Sequence, residues 1–131
     1  MSRPHSVLED QAIEITVQTQ YIADQSDPDA DRYAFAYTIE IKNHRAPTCQ
    51  LLNRHWIITD GSGGVEEVKG EGVVGKQPVL AAGEAFQYTS GAILQTPVGT
   101  MQGSYEFKDE QGNLFDVPIA VFSLSVPNLV H

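Results

Sequence analysis

The sequence is short of cysteine, of basic residues and of long apolar runs. Cys49 is the only cysteine, so no disulfide can form within the chain, and a lone thiol suits a reducing compartment. The 17 acidic residues outnumber the 8 basic ones and give a formal net charge of −9. This balance argues against a general nucleic-acid backbone binder, which needs a basic stripe, and against adhesion to an anionic membrane.

No apolar run approaches the roughly 20 residues of a membrane-spanning helix. The N-terminus shows no apolar segment followed by a small-residue cleavage site, so we expect a cytoplasmic protein. A chain of 131 residues with 41% apolar content is long enough to bury a core without a disulfide or a metal. We expect a flexible tail over residues 1–10, a single domain over residues 11–127, and no cofactor.

Apolar and polar residues alternate with a period of two through most of the chain, which predicts strands with one buried and one wet face. Seven such segments are separated by turn residues: 13–21, 32–43, 50–60, 65–69, 84–94, 100–108 and 114–126. No segment has the period of a helix. The pattern therefore predicts an all-β fold, an immunoglobulin- or fibronectin type III-like β-sandwich of about seven antiparallel strands.

Several details refine this sandwich. The third strand is apolar on both faces and carries Trp56, which predicts a central position. The charges on the short strand 65–69 are typical of a protected edge. The apolar parity of the last strand slips by one residue near Val121, which predicts a β-bulge. Tyr105 resembles the tyrosine of a tyrosine corner, whose hydroxyl bonds to the backbone a few residues upstream.

A string of glycines has the pattern G-x-G-x-x-G at Gly70, Gly72 and Gly75. In a dinucleotide-binding fold this pattern precedes a helix whose N-terminus holds the pyrophosphate. Here Gly72 is followed by Val73, Val74 and Gly75, and Pro78 comes three residues later. These residues do not start a helix. The pattern therefore does not predict a Rossmann-type site.

Two interpretations of the glycines remain. Their backbone N–H groups could form a nest that binds phosphate or pyrophosphate without a helix, assisted by basic side chains nearby. Alternatively, they only let a long connection turn tightly at the end of the sandwich. The first interpretation predicts an anion site made of Gly70, Gly72, Gly75, Lys69, Lys76 and Arg54.

Three aspartates at alternate positions, Asp27, Asp29 and Asp31, invite comparison with a calcium-binding EF-hand loop. The comparison fails at the sixth position, where Arg32 replaces the required glycine, and at the twelfth, where Thr38 replaces glutamate. The three aspartates remain a weak candidate metal site, and the alternative is a solvated loop.

Cys49 could act with His44 or His55 as a nucleophile or as a metal ligand. No spacing typical of a zinc site supports this. The plainer interpretation is a small residue at the start of a strand and two ordinary histidines.

The strings NRHWIITD (residues 53–60), VKGEGVVGKQPVL (68–80), EAFQYTSG (84–91) and TPVGTMQGSYEF (96–107) closely resemble the bacterial ApaG family, also called CorD. The resemblance extends from about Ile13 to Val126. It implies a fibronectin type III-like sandwich and a bacterial cytosolic protein. It also implies a gene neighbourhood that includes diadenosine tetraphosphate hydrolase and a ribosomal RNA methyltransferase, and a link to cobalt and magnesium sensitivity.

Similar domains in eukaryotic F-box proteins and in a polymerase-delta-interacting protein resemble protein-binding modules, and the family has no agreed activity. We therefore expect a non-enzymatic interaction module whose ligand surface includes residues 54–78 and whose partner is another protein. The alternatives are a pyrophosphate or dinucleotide ligand on the glycine string and direct binding of a divalent metal. The edges of a sandwich would also allow a homodimer.

Overall fold

Strands make up most of this computed structural model, which describes residues 12–44 and 47–127. The predicted tail over residues 1–10 lies outside the described residues, as does the predicted start of the domain at residue 11. The described residues form eight strands: β1 (Ile13–Tyr21), β2 (Tyr33–Asn43), β3 (Cys49–Asp60), β4 (Val65–Glu71), β5 (Val79–Leu80), β6 (Ala85–Leu94), β7 (Val98–Asp109) and β8 (Leu114–Ser125). Two single 3₁₀ turns, Ala23–Gln25 and Pro28–Ala30, connect β1 to β2.

The strands form two antiparallel sheets, which confirms the predicted sandwich. One sheet has the order β1-β2-β6, and the other has the order β4-β3-β7-β8, with β5 also paired to β3. The central position of β3 and the edge position of β4 are as predicted. The strand β5 was not predicted, because two residues are too few to show a period.

The core lies between the sheets and follows from the alternation along each strand. Trp56 is 2% exposed and packs in edge-on contacts against Tyr37, Tyr105 and Phe122. Tyr37 belongs to the three-stranded sheet, whereas the other three belong to the five-stranded one. Aromatic burial of this kind stabilises the contact between the sheets.

Two β-bulges set which residues face the core. Met101 and Gly103 of β7 pair with Phe122 and Ile119 of β8, so two residues of β8 oppose one of β7. This is the bulge predicted near Val121. A second bulge lies in β3 between Leu51 and Asn53, and it was not predicted.

The two long sides of the sandwich differ. On one side β1 and β8 approach each other. On the other side β4 and β6 border a groove. No helix among residues 12–44 and 47–127 is long and apolar enough to cross a membrane.

Candidate functional site: the open side between two sheet edges

The groove between the edges β4 and β6, called the open groove below, has a volume of about 350 Å³. It contains both apolar and acidic side chains, and Val65 and Ile93 are 66% and 48% exposed. Its lining comprises Ile58, Asp60, Gly64, Val65, Glu66, Ile93, Leu94 and Gln95. Exposed apolar side chains rimmed by polar groups are typical of interaction surfaces.

Acidic groups flank the groove on the β4 side. Glu66 pairs with Ile58, and Ile58 packs against the core, so the alternation places Glu66 on the core-facing side of β4, at the mouth of the groove. Among the described residues, the Glu66 carboxylate makes no hydrogen bond or ion pair. Asp60 differs, because its Oδ1 accepts hydrogen bonds from the amides of Ser62 and Gly64 at 2.9 Å each.

The β6 rim presents unpaired backbone. β2 pairs with one edge of β6, and no strand of the described residues pairs with the other. The Asn43 amide donates to the Glu84 carbonyl, and in an antiparallel ladder hydrogen-bonded pairs alternate with non-hydrogen-bonded ones. The backbone groups that point away from β2 therefore belong to Ala85, Gln87, Thr89, Gly91 and Ile93.

The β4 rim is held by Arg54, which lies opposite Gly70 on the paired strand. Its Nη1 donates to the carbonyls of Glu71 and Gly72 at 3.0 and 2.9 Å. A Cβ at Gly70 would lie 2.7 Å from the guanidinium, so the missing side chain makes room for the arginine. The first glycine of the string therefore seats a cation of the protein itself.

The other two glycines shape a tight hairpin. Gly72 has φ of +66°, and a Cβ there would lie 2.5 Å from the Lys76 carbonyl oxygen. Val73 and Lys76 exchange both backbone hydrogen bonds, at 2.8 and 2.9 Å. The two residues between them, Val74 and Gly75, have φ of +44° and +78°, as in a type I′ turn. This turn was not predicted, because a β-branched residue rarely adopts positive φ.

This hairpin uses one of the three glycine amides that the anion hypothesis needs. Gly72 donates its N–H to the Leu52 carbonyl at 2.7 Å, while Val73 and Lys76 donate to each other's carbonyls. Two of the predicted cations also separate. Arg54 shares the core-facing side with Trp56, whereas Lys69 pairs with His55 and lies on the opposite face of the sheet. Part of the predicted set still lies together, because Arg54, Lys69 and Gly70 line one groove of the five-stranded sheet, and anion binding stays a prediction.

Two tyrosine hydroxyls join the two sheets in the core. Tyr88 of β6 and Tyr105 of β7 are 2.5 Å apart at their hydroxyl oxygens. Burial raises the pKa of Tyr88 to about 12 and raises the pKa of Tyr105 as well, so both stay neutral at neutral pH. The Tyr105 hydroxyl thus bonds to a side chain of the other sheet, and the tyrosine-corner interpretation was wrong.

The outer face of the five-stranded sheet carries a second, polar groove of about 540 Å³. Asn53 donates to Glu106 at 2.7 Å, and the imidazole of His55 bonds to Glu67. These polar groups are engaged with one another across neighbouring strands. The lining of this groove also includes Arg54, Lys69 and Gly70 of the predicted anion site.

The three aspartates of the candidate metal site lie on the connection between β1 and β2. Asp27 exchanges backbone hydrogen bonds with Arg32 at 2.8 and 3.0 Å, and Asp31 adopts φ of +53°. Within residues 12–44 and 47–127, no group of three or more His, Cys, Asp or Glu side chains could hold a metal ion. The described geometry does not bring the three carboxylates together as such a group.

Cys49 is buried and lies at the start of β3. Burial, with the charge of Asp109 adding to it, raises the pKa of its thiol to about 11. A thiol with so high a pKa is a poor nucleophile at neutral pH. His44 bonds instead to Glu14 at 2.6 Å, which agrees with the plainer interpretation of these residues.

Neither the β6 rim nor Tyr88 was predicted from the sequence as a functional feature. A signal for the rim was present, because Ala85–Leu94 contains no charged residue. Its meaning depends on knowing that β6 is an edge, and the strand order is not visible in the sequence.

Comparison with known proteins points to one family. The model of the ApaG domain matches residues 23–109. "Protein ApaG" of Thiobacillus denitrificans is 58% identical over 119 residues, covering 91% of this chain and 94% of the relative. The protein of the same name from Escherichia coli is 57% identical over 117 residues, covering 89% and 94%.

Solved structures agree with this. The crystal structure of the Bordetella pertussis protein named ApaA superposes with a TM-score of 0.86 at 50% identity, covering 89% of this chain and 95% of that one. A second X-ray structure superposes with a TM-score of 0.87 at 45% identity, covering 93% and 92%.

Proposed function

Because this chain belongs to the ApaG domain family, whose names describe no reaction, we propose that it is a binding module rather than an enzyme, and that it holds a partner protein at the open groove. The observation that carries the proposal is the groove itself. It places the exposed side chains of Val65 and Ile93 beside each other at the meeting of two sheet edges. This surface includes part of residues 54–78, where the sequence analysis expected the ligand.

The chemistry of the reactive side chains supports a binding role. The Cys49 thiol is buried and has a raised pKa. His44 and His55 are each bonded to a glutamate on a neighbouring strand. The groove instead offers apolar contacts with acidic groups beside them, which is the composition of a recognition surface.

The experiment compares two exposed valines on opposite edges of the five-stranded sheet. Val65, on β4, lines the open groove, whereas Val121, on β8, does not; their exposed fractions are 66% and 59%. Immobilised wild type, Val65→Lys and Val121→Lys proteins are incubated with the same bacterial lysate, and the retained proteins are quantified by mass spectrometry.

We expect a retained protein whose recovery falls at least tenfold on Val65→Lys and less than twofold on Val121→Lys. A retained set that is indifferent to Val65→Lys would contradict the proposal. Thermal unfolding of both variants checks that neither substitution disturbs the fold, and a change at an exposed valine is expected to alter stability by no more than about 0.5 kcal/mol.

A further inference from the structure

The four long strands at the ends of the two sheets, β1, β4, β6 and β8, are not equally protected against pairing with another chain. Natural sheets protect an edge with charges, prolines or bulges. β1 has Glu14, β4 has four charged residues, and β8 has Pro118 and the bulge beside Val121. β6 has none of these in ten residues, AFQYTSGAIL.

Resting on the proposed function, we infer that the partner is held by strand addition: an extended segment of the partner protein, carrying Lys or Arg, pairs with the free edge of β6. Strand addition takes its affinity from main-chain hydrogen bonds and its specificity from alternate side chains. The outward backbone groups deduced for Ala85, Gln87, Thr89, Gly91 and Ile93 supply the donors and acceptors.

The side chains at these five positions of β6 would also not repel an added strand by charge. They are Ala, Gln, Thr, Gly and Ile, of which none is charged. The hydroxyls of Thr89 and Thr38 are 2.8 Å apart, so the polar face of this edge is already ordered by a cross-strand bond. An added strand would meet a regular ladder, since the pairing of β2 with β6 shows no register shift from Tyr33–Leu94 to Lys42–Ala85.

The charge near the edge selects the chemistry of the segment. A strand added at the Ile93 end of β6 lies in the open groove, beside Glu66 and Asp60. Lys or Arg at that end would pair with the Glu66 carboxylate, which has no other partner among the described residues. A second copy of this chain fits less well, because each copy carries a net charge of −9 and like charges oppose association.

The test uses random twelve-residue peptides displayed on phage and selected on the wild-type protein. Synthetic copies of the selected peptides are then titrated into ¹⁵N-labelled protein. We expect peptides enriched in Lys or Arg that shift the amides of Gln87, Thr89 and Gly91. The protein variant Gln87→Pro removes one outward N–H without removing a hydrogen bond to β2, whereas Gln87→Ala keeps that N–H. We expect at least tenfold weaker binding for the first and a change below twofold for the second.

A second arm of the test changes only the peptide, so it does not depend on the folding of a proline variant. N-methylation of alternate peptide amides in one phase should abolish binding, and methylation in the other phase should leave it within about threefold, because only one edge of an added strand pairs. Glu66→Lys should weaken the basic peptides at least fivefold.

Failure of this inference is separable from failure of the proposed function. No selected peptide, equal effects of the two methylation phases, or binding by Gln87→Pro at wild-type strength would each overturn strand addition. Indifference to Glu66→Lys would overturn the basic character of the segment. If these results occur while capture from lysate still depends on Val65, the open groove binds its partner in another way and the proposed function stands.

Discussion

Across the open groove, β4 and β6 are neighbours of contrasting construction. Four of the seven residues of β4 are charged. The hairpin that follows β4 is held by hydrogen bonds from Arg54 and by glycines with positive φ. None of the ten residues of β6 is charged, and its inner edge is a regular ladder. The contrast indicates that the glycine-rich end of β4 is specified mainly by folding, whereas the edge of β6 is left available for pairing. Substitutions at that end of β4 should therefore change stability, and substitutions on β6 should change binding.

The largest effect is expected at Gly72. Gly72→Ala forces an L side chain to positive φ, which costs about 1–2 kcal/mol, and drives its Cβ into the Lys76 carbonyl 2.5 Å away, which adds about 1–3 kcal/mol. We expect the free energy of unfolding in urea, followed by the fluorescence of buried Trp56, to fall by about 2–5 kcal/mol.

Gly75→Ala is the matched control for Gly72→Ala. Gly75 also has positive φ, but its missing Cβ would meet nothing within 4 Å. Gly75→Ala should therefore lose only the conformational part, about 1–2 kcal/mol. Equal losses of unfolding free energy in the two variants would show that a shift of the backbone relieves the close contact at Gly72. Steric packing would then not explain the glycine at that position.

The second effect concerns Arg54, the cation behind β4. Arg54→Met keeps much of the apolar stem but loses both hydrogen bonds to the carbonyls of Glu71 and Gly72. The expected loss in the free energy of unfolding is about 2 kcal/mol, measured by urea denaturation. The control is Lys69→Met, one residue from the partner position of Arg54 but on the exposed face, where we expect a change within about 0.5 kcal/mol.

The same pair of variants separates a structural arginine from a ligand-binding one. NMR titration with pyrophosphate reports on the amides of Gly70, Gly72 and Gly75. If these amides shift in the wild type and the shift is lost in both Arg54→Met and Lys69→Met, the two cations act on one anion, and the division of the predicted set between two faces of the sheet loses its consequence.

Much of the fold could be predicted because strands with one buried face show a regular alternation of apolar and polar residues. The bulge in β8 was visible because Val121 and Phe122 shift the apolar parity. The bulge in β3 was hidden, since Leu51 and Leu52 are both apolar and mask the slip. That bulge decides which face of the sheet the Arg54 side chain occupies. Simple alternation from buried Leu51 would put the Arg54 side chain on the outer face, whereas alternation from buried Trp56, on the same side of the bulge as Arg54, puts it on the core-facing side. The anion site was predicted from residues that are neighbours in the sequence. The register instead places the side chains of Arg54 and Lys69 on opposite faces of the sheet.

The smallest effect should have the opposite sign, and it lies at the tip of the hairpin beyond β4. Val74 is a β-branched residue at φ of +44° and is 52% exposed, so it bears conformational strain with little compensation from burial. Val74→Asn creates the Asn-Gly pair favoured in type I′ turns and should raise the free energy of unfolding by about 1 kcal/mol. The control is Val79→Asn, a similarly exposed valine (56%) in the short strand β5, which should lose a little stability because asparagine is unfavourable in strands. A lower free energy of unfolding in both variants would mean that the Val74 side chain stabilises the hairpin by more than its positive φ strains it. The tip of the turn would then also be specified by folding, like the glycine-rich end of β4.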